Sequence, residues 1–96
     1  MSNYRLTPAA QQDLSAIWDF TEERWDVRQA EISVREIQAA IERLAIDPRR
    51  GRSREEVRQG YFSHAIGSHT IFYLTQTDGV DIIRVLHQRM DHFRHL

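Results

Sequence analysis

Residues 69–88 read HTIFYLTQTDGVDIIRVLHQ. β-branched and aromatic side chains fill both halves of this stretch, and Asp78-Gly79 between them is a hairpin turn. It therefore predicts two antiparallel strands, His69 to Thr77 and Val80 to Gln88. Just upstream, Val57 to Ile66 reads as a further strand, closed by a tight turn at Gly67-Ser68. Side chains alternate along a strand, so Val80, Ile82 and Leu86 point one way and Ile83 and Val85 the other. Phe72 and Leu74 likewise oppose Ile71 and Tyr73. Both faces of the predicted sheet carry apolar groups.

Toward the N-terminus the period changes. Residues 4–7 alternate as a short strand, and Thr7-Pro8 is a helix start: a hydroxyl N-cap, then proline where its missing N–H does no harm. Ala10, Leu14, Ile17, Trp18, Thr21 and Trp25 then recur three or four apart, predicting a helix over about 8–25 with both tryptophans in the core. Ala30, Val34, Ile37, Ile41 and Leu44 predict a second helix over about 29–47, ended by Pro48. The short link makes these an antiparallel helical hairpin. Residues 48–56 carry no apolar side chain and read as an exposed loop. The element order is β-α-α-β-β-β, an α+β fold in a single domain spanning 1–96. One hairpin covers one face of the sheet, so the other needs the C-terminal tail, a second copy or another protein.

With 96 residues, 41% hydrophobic and 28% charged, the chain has enough for one core and too much apolar content for disorder. It has no cysteine, no apolar run long enough to span a membrane and no signal-peptide core at its start, so a cytoplasmic location is expected. All thirteen basic residues are Arg, against fourteen acids. They are unevenly placed. Pro8 to Asp47 holds nine acids and four Arg, a net of −5; Arg49 to Arg58 holds five Arg and two Glu, a net of +3. From Arg84 onward the net is +2, with three of the five His besides. Such segregation marks partner surfaces or simply solvated faces.

The last strand brings a resemblance. Ile71-Phe72-Tyr73-Leu74, the Asp78-Gly79 turn and Val80-Asp81-Ile82-Ile83-Arg84-Val85-Leu86-His87, with Arg89 and Asp91 beyond, resemble the end of ParE toxins in the ParE/RelE superfamily of type II toxin–antitoxin systems. Thr7-Pro8-Ala9-Ala10 with Asp13-Leu14 resembles their opening, and Gly51-Arg52 and Val57-Arg58 fit as well. The resemblance runs over nearly the whole chain. It implies a toxin neutralised by a ParD-like or related antitoxin, encoded by the adjacent gene, in a hetero-oligomeric complex. The antitoxin's disordered segment would fold on the toxin. The target it implies is DNA gyrase for the ParE branch, or mRNA on the ribosome for the RelE branch.

Candidate residues divide along those lines. A nuclease needs a base, an acid and cations for phosphate; His64, His69 and His87 with Arg52, Arg58, Arg84 and Arg89 are the candidates. Thr70 stands where related nucleases often carry Arg, and the net charge of −1 does not favour a polyanion. Action by binding is therefore expected, with a ribosome-dependent interferase, or an antitoxin-binding homologue with another target, as the alternatives. Arg84, His87, Arg89, His92, Phe93 and Arg94 combine cationic forks with one aromatic anchor and are the expected target contacts. Phe20 and Ile32, off the helical stripes, and Arg52 and Arg58 are the expected antitoxin contacts. His87, His92 and His95 with Asp91 do not make a closed ligand set, so neither metal nor cofactor is expected.

Overall fold

The structure, a computed structural model, describes residues 3–96; the first two residues of the expected domain lie outside the described residues. The chain runs β1 (Asn3–Leu6), α1 (Pro8–Arg24), α2 (Val27–Ile46), a 3-10 turn (Pro48–Arg50), β2 (Arg52–Ser53), β3 (Phe62–Ile66), β4 (His69–Gln76), β5 (Gly79–His87) and α3 (His92–His95). The strands form one sheet in the order β1-β5-β4-β3-β2. β1 runs parallel to β5, and every other neighbouring pair is antiparallel. The α+β architecture matches the sequence reading.

The first helix start is built from the expected chemistry, and the second, at Val27 rather than about residue 29, from a cap the periodicity did not indicate. Thr7 Oγ1 accepts from the Ala10 N–H at 3.0 Å, with Pro8 in the first helical position. Asp26 caps α2 by accepting from the Gln29 N–H at 2.8 Å. From α2, Ile37, Ala40, Ile41, Leu44 and Ala45 are buried against Ile71, Tyr73, Val80, Ile82 and Val85 of the sheet. α1 contributes less than its periodicity predicts. Ala10 is fully buried, but Leu14 and Ile17 are half-buried and Trp25 is 70% exposed. The placement of Trp25 in the core is thus overturned: α1 ends at Arg24, and Trp25 sits on the link to α2.

The strands differ from expectation in four places. β3 begins at Phe62 rather than Val57. Residues 54–61 fold back on themselves, with the Val57 and Arg58 N–H groups on the Arg54 carbonyl and Gly60 at φ 82°. Glu55 Oε2 takes the Gly60 N–H at 3.0 Å and ties this loop. Within the expected loop, Arg52 and Ser53 form the edge strand β2, paired with Ser63 and Phe62. The β4–β5 turn is Thr77-Asp78, because Gln76 already pairs with Gly79.

The fourth difference reorients side chains. Tyr73 pairs with Ile82 but Phe72 pairs with Arg84, so Ile83 is an extra residue in β5. Such a bulge reverses the alternation beyond it. Val85 consequently joins Val80 and Ile82 in the core under the helices, and Leu86 goes to the opposite face, the reverse of the simple alternation. That second face buries Phe72, Leu86, Ser63 and Thr70. The C-terminal tail covers part of it, with the His92 ring edge-on to Phe72 at 4.8 Å between centroids.

Candidate functional site

β1 stops pairing with β5 at Ile82, which leaves the second half of β5 with an open edge. Polar side chains from the start of α1 fill the gap. Thr7 Oγ1 donates to the Ile83 carbonyl at 2.8 Å, and Asp13 Oδ2 accepts from the Val85 N–H at 2.9 Å. Asp13 also receives both forks of Arg84, from Nε at 2.7 Å and Nη2 at 2.8 Å. Arg84 Nη1 donates to the His95 carbonyl at 2.8 Å and so holds the tail. The bidentate contact with Asp13 raises the Arg84 pKa above its ordinary value, with burial opposing.

Beyond this lock, the tip of the helical hairpin overhangs the end of the sheet. Between them lies an open, mainly apolar cleft of about 740 Å³. Its helical wall carries Ile17, Phe20 and Trp25; its sheet side carries Val85 and Met90. Phe20 is 62% exposed, with the Arg24 guanidinium 6.0 Å above its ring. Open apolar surfaces of this kind commonly mark interaction sites in small proteins.

The cleft has one polar end. His69 and His87 are cross-strand partners in register, their rings edge-to-face at 5.4 Å between centroids. The Arg89 backbone N–H donates to His87 Nδ1 at 3.1 Å, and the Arg89 side chain lines the cleft beside them. Burial, then the neighbouring His87, lowers the pKa of His69.

The expected target contacts are divided by this geometry. His87 and Arg89 line the cleft, while Arg84 is engaged with Asp13 and the tail. His92 packs on Phe72, and Phe93 (66% exposed) and Arg94 face solvent from α3. His87, His92 and His95 do not converge: among the described residues no three His, Asp or Glu side chains come together to hold a metal. Of the expected antitoxin contacts, Phe20 lines the cleft and Ile32 is exposed on α2 outside its lining. Arg52 on β2 and Arg58 in the β2–β3 loop are exposed and also lie outside it.

A basic cluster forms on β3 instead. Arg43 of α2 and Arg50 of the 3-10 turn act on His64, whose pKa is lowered first by burial and then by these two charges. Tyr73 anchors the turn from below: its hydroxyl donates to the Pro48 carbonyl at 2.7 Å and accepts from the Gly51 N–H at 3.0 Å. A side chain at Gly51 would collide with that hydroxyl. Sequence spacing missed the contributions of Arg43 and Trp25, and it named His69 and His87 as candidates without showing that they pair. The signals were present in Asp26, a cap that forces Trp25 out of α1, and in the hairpin register, which needs the bulge to be known.

Three comparisons bear on this arrangement. The profile of the ParE toxin of the type II toxin–antitoxin system parDE matches residues 4–92. Toxin ParE1 of Mycobacterium tuberculosis is 53% identical over 96 residues, covering 99% of this chain and 98% of that protein. Toxin ParE1 of Caulobacter vibrioides is 47% identical over 96 residues, covering 100% and 99%. Among solved structures, the chromosomal ParDE TA system from P. aeruginosa superposes with a TM-score of 0.78 at 19% identity, over 91% of this chain and 96% of that one.

Proposed function

Because the chain belongs to the ParE toxin family of type II toxin–antitoxin systems, we propose that it poisons DNA gyrase by binding and is silenced by an antitoxin seated in the apolar cleft. The observation that carries this reading is the separation of two exposed surfaces in one small domain. The cleft offers Phe20 and Trp25 as apolar anchors. The tail, on the other face of the sheet, offers Phe93 and Arg94. The antitoxin takes the cleft and extends over Ile32, with Arg52 and Arg58 meeting its acidic groups. The target meets the tail, positioned by Arg84 and His92. A poison of this kind must bind the cleaved gyrase–DNA complex more tightly than the resealed one, since equal binding to both shifts nothing.

The test is a supercoiling assay with purified gyrase. The intact chain is expected to accumulate gyrase-linked double-strand breaks, and a Phe93→Ala, Arg94→Ala variant to need at least about tenfold more protein, as loss of an anchor and a charged contact implies. Normal supercoiling without breaks at saturating protein overturns the gyrase target.

A second reading is favoured by one observation. The sheet places two imidazoles, His69 and His87, side by side with Arg89, a set that could serve RNA cleavage as base, acid and phosphate ligand. Its apolar surroundings support it less than they support docking. Primer extension across transcripts after induction separates the two: cuts that vanish on His87→Ala would establish the nuclease.

A further inference from the structure

The polar end of the cleft carries an uncompensated cationic capacity. The ionisable side chains lining the cleft are Asp13 from α1, His69 from β4, His87 from β5 and Arg89 from the turn after β5; α2 contributes Gln29 and Ser33, which do not ionise. Asp13 is the one acid among them, and its oxygens are already taken by Arg84 and the Val85 N–H. The other three therefore face the cleft without a carboxylate of this chain. His87 is also oriented: with Nδ1 accepting from the Arg89 N–H, the ring proton sits on Nε2 as a donor.

We propose that the cleft selects a partner segment that carries a carboxylate among its apolar side chains, the carboxylate seating against His69, His87 and Arg89 while the apolar groups pack on Ile17, Phe20 and Trp25. This rests on the reading of the cleft as the antitoxin seat and specifies what that segment must contain. An all-apolar segment would bury the imidazoles and Arg89 against hydrocarbon with no partner, which is costly. An acidic side chain at that point supplies the acceptor for all three, and Arg89 gives it a forked donor.

The two kinds of segment give opposite responses to pH. Burial, then the neighbouring His87, disfavours the charged form of His69 in the free chain. A carboxylate arriving opposite them favours the imidazolium, so docking takes up protons and tightens as pH falls from 8 to 6, where carboxylates remain ionised. An apolar segment releases protons and binds more weakly over the same range.

The test uses the antitoxin co-expressed from the adjacent reading frame, separated from the full-length chain and titrated back calorimetrically at pH 8 and pH 6, in buffers of different ionisation enthalpy. The expected result is about three- to fivefold tighter binding at pH 6, the effect over this range of one imidazole raised by one pKa unit, with net proton uptake. In a His69→Gln, His87→Gln variant both the slope and the uptake should vanish. Unchanged or weaker binding of the unaltered chain at pH 6, a measurement that needs no variant to fold, overturns the proposal; so does a slope that survives in the Gln variant. Phe20→Asp separates the two readings. If it weakens binding, the cleft stands as the seat whatever the pH response; if a folded Phe20→Asp variant binds as before, the seat and the carboxylate fall together.

Discussion

The carboxylate of Asp13 accepts from two nitrogens of Arg84 and from the backbone N–H of Val85, with side-chain exposures of 13% for Asp13 and 22% for Arg84. Three donors converge on one residue that the helical periodicity leaves off the apolar stripe. Asp13→Ala would strand the Val85 N–H and an Arg held largely out of water, at a cost of about 1–3 kcal/mol. Asp13→Asn keeps an oxygen for Val85 and should recover part of it. Urea unfolding with an unchanged slope measures both; a loss below about 0.5 kcal/mol, the scale of an ordinary surface substitution, would show that water replaces the carboxylate freely. Thr7 works the same way, capping α1 with one lone pair while its hydroxyl proton goes to the bulged Ile83 carbonyl.

At the scale of elements, α2 carries the core and α1 carries the cleft. Ile41 is 1% exposed among Ile37, Leu44 and the sheet residues. Ile41→Ala should cost about 2–5 kcal/mol, and Leu14→Ala on half-buried α1 clearly less; equal losses would mean that both helices are seated alike. The pattern of residues showed the helices, the Thr7 cap and the β4–β5 hairpin because each depends on local chemistry: Thr7-Pro8, Pro48, and runs of Ile, Val and Phe. It did not show β1 pairing with β5, where residues 3–6 meet 79–82, since no local period encodes a partner so distant in sequence. Nor did it show the bulge at Ile83, which depends on what Thr7 and Asp13 offer across space. A one-residue shift was enough to exchange Val85 with Leu86 between faces. The candidate site was legible in part: Phe20, His87 and Arg89 were singled out. Trp25 became a member only through the helix link, and His69, named singly as a candidate, joined His87 only through the strand register.

For the molecule as a whole, two histidines set a direction for its response to acid. His64 and His69 both titrate below their ordinary value in the folded chain, each chiefly through burial. Between that lowered value and about 6.5 the unfolded chain binds more protons than the folded one, so this contribution is complete above about pH 6.5 and is lost as pH falls below it. Denaturation midpoints should therefore drop from pH 7 to pH 5.5, and a His64→Gln, His69→Gln variant should show a shallower slope. An identical slope in the variant would assign the acid sensitivity to other groups. The parallel pairing of β1 with β5 has a different kind of consequence, one of timing. Asn3 finds its place only against Gly79, and Leu6 only against Ile82. Contacts this far apart in sequence form late. During synthesis β1 must wait, unpaired, until residues 79–82 have left the ribosome. The helical hairpin can assemble in the meantime, but the sheet cannot close beneath it. The cleft beside the Thr7 and Asp13 lock thus comes into being only after β5 has arrived, however early the helices that wall it are made.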